Sequence, residues 1–277
     1  MPGCRPLRFV AALSLFGLIA LTTACHTAPV LSDAAPMIES REHGQFVERS
    51  LLLDNGILHR YQVFIPSLKA GGAHPALILF LHGSGERGKD NRKQVEVGLA
   101  PVIRERMDEF PAIAVFPQMH IDQVDADRFT RTALSILDRS EDEFGADPKR
   151  ILLTGVSAGG YASYDIAIMQ PERFAAVVPI CGGFDPPRVW DRERVDALGG
   201  LLTLDDAAAK MAHTRFWIFH GAQDTVVPPQ KSREIFAALI RAKADVRYTE
   251  FPDANHNAWD PAYATAALWP WLFAQHR

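Results

Sequence analysis

The sequence predicts an α/β protein built on a mostly parallel central sheet with helices on both faces. Short, continuous apolar runs recur along the chain, and such runs are typical of strands that are covered on both faces. Segments compatible with helices separate these runs, and strands that alternate with helices usually pair in parallel. Ahead of them, the strand-like segments 45–53 and 61–65 flank the turn signal Asp54-Asn55-Gly56, which predicts an N-terminal antiparallel hairpin.

The predicted elements follow one another in a regular order. Strands are predicted at Ala76–Leu81, Ile113–Phe116, Ile151–Thr154, Ala175–Ile180, Phe216–Phe219 and Val246–Phe251. Helices are predicted at Val95–Glu109, Ala126–Phe144, Ala158–Gln170, Pro229–Lys243 and Pro261–Gln275. The stretch 182–213 interrupts this order, and loops of such length are often lids or binding loops. A lid-like insertion is one interpretation of it, and a helical excursion on the surface is the other.

Length and charge limit the classes of function. The chain has 277 residues, of which 48% are hydrophobic and 22% are charged, so it is long enough for one domain spanning 45–277. Its net charge is −4 and its pI is about 6.2, and the basic residues are scattered among acids. A nucleic-acid partner is therefore not expected. The sequence gives no indication of the oligomeric state.

The N-terminal stretch is typical of an export signal. Arg5 and Arg8 precede an apolar run over 9–21, and small residues then lead to Cys25, which predicts a signal peptide over 1–24. The run is shorter than the ~20 residues that a membrane-spanning helix needs. The stretch Leu21-Thr22-Thr23-Ala24-Cys25 resembles a lipobox, although Thr22 stands where leucine is usual.

Two outcomes of export are open. Cys25 is a candidate for lipidation, which predicts a cell-envelope lipoprotein held at the membrane by an N-terminal lipid anchor. Ordinary cleavage would instead release a periplasmic or secreted protein. Residues 25–44 lack any periodicity and predict a disordered tether. Without the signal peptide, Cys25 and Cys181 are the remaining cysteines, so no disulfide framework is expected.

The clearest chemical motif is Gly155-Val156-Ser157-Ala158-Gly159, between a predicted strand and a predicted helix. This is the pattern of a nucleophile elbow, in which a sharp turn projects the serine hydroxyl and flanking glycines relieve crowding. Such a pentapeptide also arises by chance. Its strand-to-helix context favours the functional interpretation.

A base and an acid follow in the order that this architecture requires. Asp224 comes after the predicted strand 216–219, and His256 comes after the predicted strand 246–251. Singly, Asp224 could cap a turn and His256 could be an ordinary loop histidine. Their joint order after the elbow predicts a Ser157–His256–Asp224 triad, with Asp253 as a reserve acid.

A triad of this kind predicts attack by Ser157 on a carbonyl and an acyl-enzyme that water resolves. The oxyanion needs backbone donors, for which we predict the N–H groups of Ala158 and Ser84. Ser84 belongs to the glycine-rich loop after the first buried strand. His82, which opens that loop, is predicted to shape the turn.

The sequence predicts no metal site and no cofactor. His120, Asp122, Asp125 and Asp127 lie close together in the chain but lack a recognised ligand spacing, so we interpret them as a solvated loop. The loop at 82–88 also lacks the pattern of a phosphate-binding loop.

Several stretches together resemble a known superfamily. They are LFLHGSGERGKDN at 79–91, VFPQ at 115–118, ILLTGVSAGGYAS at 151–163, PERFAAVVPICGG at 171–183, FHGAQDTVVP at 219–228 and YTEFPDANHNAWDPAY at 248–263. The chain resembles the α/β-hydrolase superfamily over 45–276, in particular the bacterial esterase and predicted-peptidase branch. That branch is similar to phospholipase/carboxylesterase and prolyl-oligopeptidase-like proteins.

This resemblance implies the α/β-hydrolase fold and the same three catalytic residues. It also implies that the loop 82–86 forms the oxyanion side and that Glu86, Gln118 and Trp259 border the substrate pocket. Members that look like this hydrolyse esters of small acids, including acetyl and feruloyl groups on plant polysaccharides, so a small-molecule or carbohydrate ester is expected. A serine peptidase remains an alternative, and so does a catalytically silent cell-envelope binding protein on the same fold.

Overall fold

The computed structural model describes residues 42–53, 56–120, 126–189 and 191–277. The predicted signal peptide, Cys25 and most of the predicted tether lie outside these ranges. Within these ranges, no helix combines the length and the apolar character needed to cross a membrane.

The described strands form one sheet in the order β1-β2-β4-β3-β5-β6-β7-β8. Their bounds are β1 Gln45–Leu52, β2 Leu58–Ile65, β3 Ala76–Leu81, β4 Ala112–Pro117, β5 Ile151–Val156, β6 Ala176–Ile180, β7 Arg215–Gly221 and β8 Val246–Phe251. The β1–β2 and β2–β4 pairs are antiparallel, and the pairs from β4 through β8 are parallel. The sheet confirms the predicted fold class, with its antiparallel hairpin at one edge.

The helices lie between the strands, as the alternating pattern predicts. Their bounds are α1 Leu68–Gly71, α2 Leu99–Arg104, α3 Ala126–Phe144, α4 Ala158–Met169, α5 Arg192–Leu198, α6 Leu204–Met211, α7 Gln230–Arg241, α8 Trp259–Tyr263 and α9 Leu268–Phe273, with short 3-10 helices at Ser84–Glu86 and Lys93–Val95.

Two predicted helices are wrong in extent. The helix predicted over 95–109 is reduced to α2. It begins only at Leu99 because Gly98 has φ 68°, and this left-handed conformation cannot continue a helix. The helix predicted over 261–275 is divided into α8 and α9. The carbonyl of Tyr263 accepts a hydrogen bond of 3.0 Å from the Trp269 indole, and this carbonyl would otherwise serve the next helical turn.

The apolar runs are continuous because the central strands are buried on both faces. In β3, Leu77 and Leu79 pack into one core while Ile78 and Phe80 pack into the other, and all four are 0% exposed. The first core includes side chains from α3, α4, α6 and α7, and the second includes side chains from α2, α8 and α9. The helical layers therefore cover both faces and leave the carboxyl ends of the parallel strands at one edge.

The stretch 182–213 contains α5 and α6, which are two short helices. Ala207 and Met211 of α6 are buried in the first core. Arg194 of α5 donates two hydrogen bonds of 3.0 Å to the carboxylate of Asp165, in the middle of α4. These contacts attach the stretch to the helical layer, and its lid-like role stays a prediction.

Candidate active site

Ser157 lies on a sharp turn between β5 and α4. Its φ is 54° and its ψ is −116°, a conformation that non-glycine residues rarely adopt and that costs roughly 1–3 kcal/mol. A Cβ on Gly155 would lie 2.2 Å from the Gly159 carbonyl oxygen, and a Cβ on Gly159 would lie 2.0 Å from the Leu81 carbonyl oxygen. The turn that presents the serine thus requires glycine at both flanking positions.

The structure brings Ser157, His256 and Asp224 together. Ser157 Oγ lies 2.9 Å from His256 Nε2, and His256 Nδ1 lies 2.7 Å from Asp224 Oδ2. His256 stands between β8 and α8, and Asp224 stands in the turn after β7. Asp253, the reserve acid, is exposed, whereas the Asp224 side chain has 0% exposure and directly contacts the imidazole.

The carboxylate of Asp224 is held in its ionised form. Burial by itself raises its pKa, but the hydrogen bonds from His256, Val227 and Val226 outweigh burial, and the pKa lies below its usual value. The two amides donate to Oδ1 at 2.8 Å and 2.9 Å. An anion in this position can fix the imidazole tautomer and stabilise a positive charge on His256.

The two predicted oxyanion donors belong to segments that lie at the nucleophile. Ala158 is the first residue of α4, so its N–H has no acceptor within the helix. A Cβ on Gly83 would lie 3.5 Å from the Ser157 Cβ, which places the loop after β3 against the nucleophile. Ser84 follows Gly83 and opens a 3-10 helix. Its role as the second donor stays a prediction.

His82 serves the turn, as the sequence predicts. Its Nδ1 lies 2.6 Å from the Gly83 carbonyl oxygen, and its Nε2 lies 2.8 Å from the Met119 amide nitrogen. Burial lowers the pKa of His82 to about 4, so the ring is neutral at physiological pH. The neutral ring donates from Nδ1 and accepts at Nε2, which ties the loop after β3 to the end of β4.

The three residues implied by the resemblance occupy different positions. The Glu86 carboxylate lies beside the nucleophile. A Cβ placed on Gly83 would be 3.0 Å from Glu86 Oε2 and 3.5 Å from Ser157 Cβ, so both side chains border the same small space. Burial raises the pKa of Glu86, against hydrogen bonds from the backbone N–H groups of Glu86 and Gly83. The Trp259 ring meets the His256 ring edge-on, with centroids 5.8 Å apart.

Gln118 instead holds the loop in place. Its side chain accepts a hydrogen bond of 2.8 Å from the Asn91 amide and donates one of 3.0 Å to the Glu86 carbonyl oxygen. The residue is only 4% exposed. Its predicted contact with substrate stays a prediction.

The sequence motifs do not identify His220, although its Nε2 lies 3.2 Å from Asp224 Oδ2. It is buried near the end of β7, four residues before the predicted acid. The one indication in the sequence is the spacing of four positions between His220 and Asp224 within FHGAQD, directly after a buried strand.

Cys181 is a free, buried cysteine, and burial raises the pKa of its thiol to about 12. In the part of the chain that the structure describes, no group of three or more His, Cys, Asp and Glu side chains is placed to hold a metal ion. Asp122 and Asp125 lie outside that part.

Comparisons with known proteins identify the family of the chain. The model of the prolyl oligopeptidase family matches residues 133–273, just over half of the chain, and this match includes Ser157, Asp224 and His256. Two curated relatives from Mycobacterium tuberculosis are each 28% identical to the chain. "Probable carboxylic ester hydrolase LipM" matches over 41% of this chain and 33% of its own length, and "Esterase LipC" matches over 46% and 39%. The chain thus spans between a third and two fifths of these relatives.

Two solved structures share the fold. A thermostable esterase is 27% identical, with a TM-score of 0.65, over 84% of this chain and 63% of its own. A ferulic acid esterase is 16% identical, with a TM-score of 0.64, over 84% of this chain and 99% of its own. The second likeness concerns the fold alone.

Proposed function

We propose that this chain, which belongs to the prolyl oligopeptidase family, is a serine hydrolase that cleaves carboxylic esters through an acyl-enzyme intermediate. The hydrogen-bonded chain from Ser157 Oγ through His256 to the buried Asp224 carries this proposal. A nucleophile, a base and an orienting acid are the three parts that nucleophilic catalysis by serine requires.

In the proposed reaction, His256 removes the proton from Ser157 as the hydroxyl attacks the ester carbonyl. Its Nδ1–H faces Asp224, which leaves the lone pair of Nε2 directed at the serine. Asp224 stabilises the imidazolium, which then gives its proton to the departing alcohol. Water then attacks the acyl carbonyl as His256 takes its proton. His256 returns that proton to Ser157 Oγ as the acyl–serine bond breaks, which frees the acid and restores Ser157.

The oxyanion of each tetrahedral intermediate would accept hydrogen bonds from the N–H groups of Ala158 and Ser84. The Gly83 N–H interacts with the Glu86 carboxylate, so Ser84 supplies the next amide of the loop beside the nucleophile. The start of a twelve-residue helix at Ala158 adds a partial positive charge at the same place. Loss of one such donor costs about 2.7–4 kcal/mol of transition-state stabilisation.

The proposed substrates are esters of small acyl groups, including acetyl and feruloyl esters of carbohydrates. The names of the relatives LipM and LipC and of the thermostable esterase support ester chemistry. The name of the ferulic acid esterase suggests one acyl group worth testing. The family name favours a second candidate function, that of a serine peptidase acting on amides with the same residues.

Turnover of matched substrates tests the proposal. The purified chain and Ser157→Ala are compared on a short nitrophenyl ester, a feruloyl ester and an aminoacyl amide. We expect ester turnover well above amide turnover, and its loss in Ser157→Ala by about 10⁴-fold or more. Failure to find Ser157-dependent turnover of any ester would sink the esterase function. Amide turnover above ester turnover would favour the peptidase.

We also propose that the protein is exported and anchored by a lipid on Cys25. The pattern of Arg5, Arg8, the apolar run and the residues before Cys25 supports this. Cells producing the full chain are labelled with radioactive palmitate, beside Cys25→Ala. Label is expected only in the unsubstituted chain, and label that persists in Cys25→Ala would refute lipidation at this cysteine.

A further inference from the structure

The Asp224 carboxylate has more partners than the His256 ring. Its Oδ1 oxygen accepts from two backbone amides of its own turn, and its Oδ2 oxygen faces His256 Nδ1 at 2.7 Å. A second imidazole nitrogen, His220 Nε2, lies 3.2 Å from the same Oδ2. The amides fix one oxygen, so the position of the other depends on the two rings.

The proton on His220 Nε2 follows from its neighbours. That nitrogen lies 2.9 Å from the Val227 carbonyl oxygen and 3.2 Å from the Asp224 carboxylate, and both are acceptors. The nitrogen must therefore carry hydrogen, whether the ring is neutral or charged. His220 is 0% exposed, so water cannot replace this donor.

The other nitrogen of the ring is occupied as well. His220 Nδ1 lies 2.7 Å from Ser232 Oγ, and Ser232 Oγ lies 3.1 Å from the Gly182 carbonyl oxygen. Burial lowers the pKa of His220, although Val227, Asp224 and Glu250 oppose this shift. The Ser232 hydroxyl has one hydrogen, and the Gly182 carbonyl oxygen competes for it with the lone pair on Nδ1 of the neutral ring. The two acceptors at Nε2 therefore keep the hydrogen on that nitrogen. Ser232 belongs to α7, so the ring joins the end of β7 to a separate helix.

We propose that His220 is a positioning residue: its Nε2–H, which it shares between the Val227 carbonyl oxygen and Asp224 Oδ2, holds Oδ2 in the line of the His256 ring. Ser232 holds the opposite side of the His220 ring in place. This role presupposes the serine-hydrolase function proposed above. Without the Nε2–H donor, Oδ2 would be held by His256 alone, and the carboxylate would follow the motion of the ring that it is meant to orient.

The test uses two substitutions of His220 in the full chain. His220→Gln keeps an N–H donor on a side chain of similar reach, and His220→Leu removes it. With a nitrophenyl ester, we expect kcat to fall about tenfold in His220→Leu, the factor for one hydrogen bond to a charged group. KM should change less than about twofold, because substrate does not contact the ring. His220→Gln should recover most of kcat.

A proton NMR measurement separates positioning from a general loss of stability. The downfield resonance of the hydrogen between His256 and Asp224 is expected in the wild type and in His220→Gln, and it should broaden or move upfield in His220→Leu. The resonance can also be followed in Ser157→Ala. The inference therefore remains testable even if wild type shows no Ser157-dependent ester turnover, which would overturn the proposed function instead.

Two buried serines provide a test that does not depend on the folding of His220→Leu. Ser232→Ala removes the partner of Nδ1, whereas Ser140→Ala removes a buried hydroxyl that bonds within α3. We expect kcat to fall about threefold in Ser232→Ala, a weaker effect because it is indirect, and to stay unchanged in Ser140→Ala. A folded His220→Leu with wild-type kcat would overturn the inference, as would equal losses in His220→Gln and His220→Leu. If His220→Leu does not fold, wild-type kcat in Ser232→Ala overturns it.

Discussion

Asp224 and Asp165 are both buried carboxylates, with 6% and 4% exposure, but they are held in different ways. Asp224 accepts from two amides of its own turn and from His256. Asp165 depends on the guanidinium of Arg194, which lies 29 positions away in another helix.

The two acids differ in charge balance as a result. Burial raises the pKa of Asp165, and Arg194 offsets this only in part, whereas the donors around Asp224 bring its pKa below the usual value. Local amides can hold an anion without a partner charge, and they leave that charge available to a neighbouring imidazole. A single cation from a distant part of the chain instead links two helices, and it neutralises the charge of the carboxylate that it pairs with.

The largest expected effect separates the two acids by function. Asp224→Asn keeps the shape but removes the charge that stabilises the imidazolium, so kcat should fall by about 10⁴-fold. Asp165→Asn should leave kcat within about threefold, because Asp165 lies away from the reacting atoms on α4, in its pair with Arg194. Both are measured with a nitrophenyl ester at a temperature well below the unfolding midpoint. Equal losses of kcat in the two variants would contradict the distinction.

The next effect concerns the free energy of unfolding. Arg194→Met leaves Asp165 buried without its cation, which should lower the free energy of unfolding by about 3 kcal/mol in urea titrations. The double variant Asp165→Asn/Arg194→Met should lose less than Arg194→Met alone, because no unpaired charge remains. Additive losses would show that the two side chains are not coupled.

The loss of stability in Arg194→Met is expected to depend on pH. Burial already raises the pKa of Asp165 above its ordinary value of 3.8, and removal of Arg194 raises it further. A raised acid pKa gives stability that is present at low pH and is lost as pH rises through the folded-state pKa. Arg194→Met should therefore be less destabilised at about pH 5 than at about pH 8. An unchanged difference between the two pH values would contradict this.

Glu86 is a third, half-buried carboxylate, and it lies beside the nucleophile. In Glu86→Gln, kcat/KM for a cationic ester should fall relative to a neutral ester by about two- to fivefold, since a partly screened charge pair contributes about 0.5–1 kcal/mol. An anionic ester should gain by a similar factor. The differences should shrink at high salt. Equal kcat/KM changes for all three esters would show that the charge of Glu86 does not reach the substrate.

The smallest effect belongs to a carboxylate at the surface. Arg233 contacts Glu250 at 2.6 Å, and its hydrogen bond lowers the pKa of Glu250 to about 2. The lowered pKa contributes stability that is present above pH 4.5, the ordinary pKa of a glutamate, and is lost as the pH falls towards 2. Glu250→Gln should lower the melting temperature by roughly 1–3 °C at neutral pH, and by less in acid. Asp205→Asn, in the more exposed pair with Arg241, is the matched control and should have a smaller effect.

Much of the fold and the triad could be predicted because the signals are local. Continuous apolar runs identify strands buried on both faces, and the glycines around Ser157 mark a turn that no other residue fits. The order of Asp224 and His256 after that turn follows from the architecture. These features depend on residue type and spacing, which the sequence gives directly.

Features that depend on distant contacts could not be predicted in this way. The division of the last helix depends on the Trp269 indole reaching the Tyr263 carbonyl. The hydrogen bond that Gln118 accepts depends on the position of the Asn91 amide, 27 residues earlier in the chain. The contact of His220 with Asp224 depends on the conformation of the turn between them. In each case a side chain meets a group whose position only the assembled fold determines.

The separation of the triad along the chain has a consequence for folding kinetics. Ser157 and His256 are 99 positions apart, and Asp224 and His256 are 32 apart. Closing such long loops costs entropy before any contact compensates for it, so we expect the triad to assemble only after the strands that carry it have paired. A chain emerging from the ribosome has its nucleophile long before its base. Recovery of ester turnover after dilution from denaturant should therefore report on the docking of β8 and its following loop.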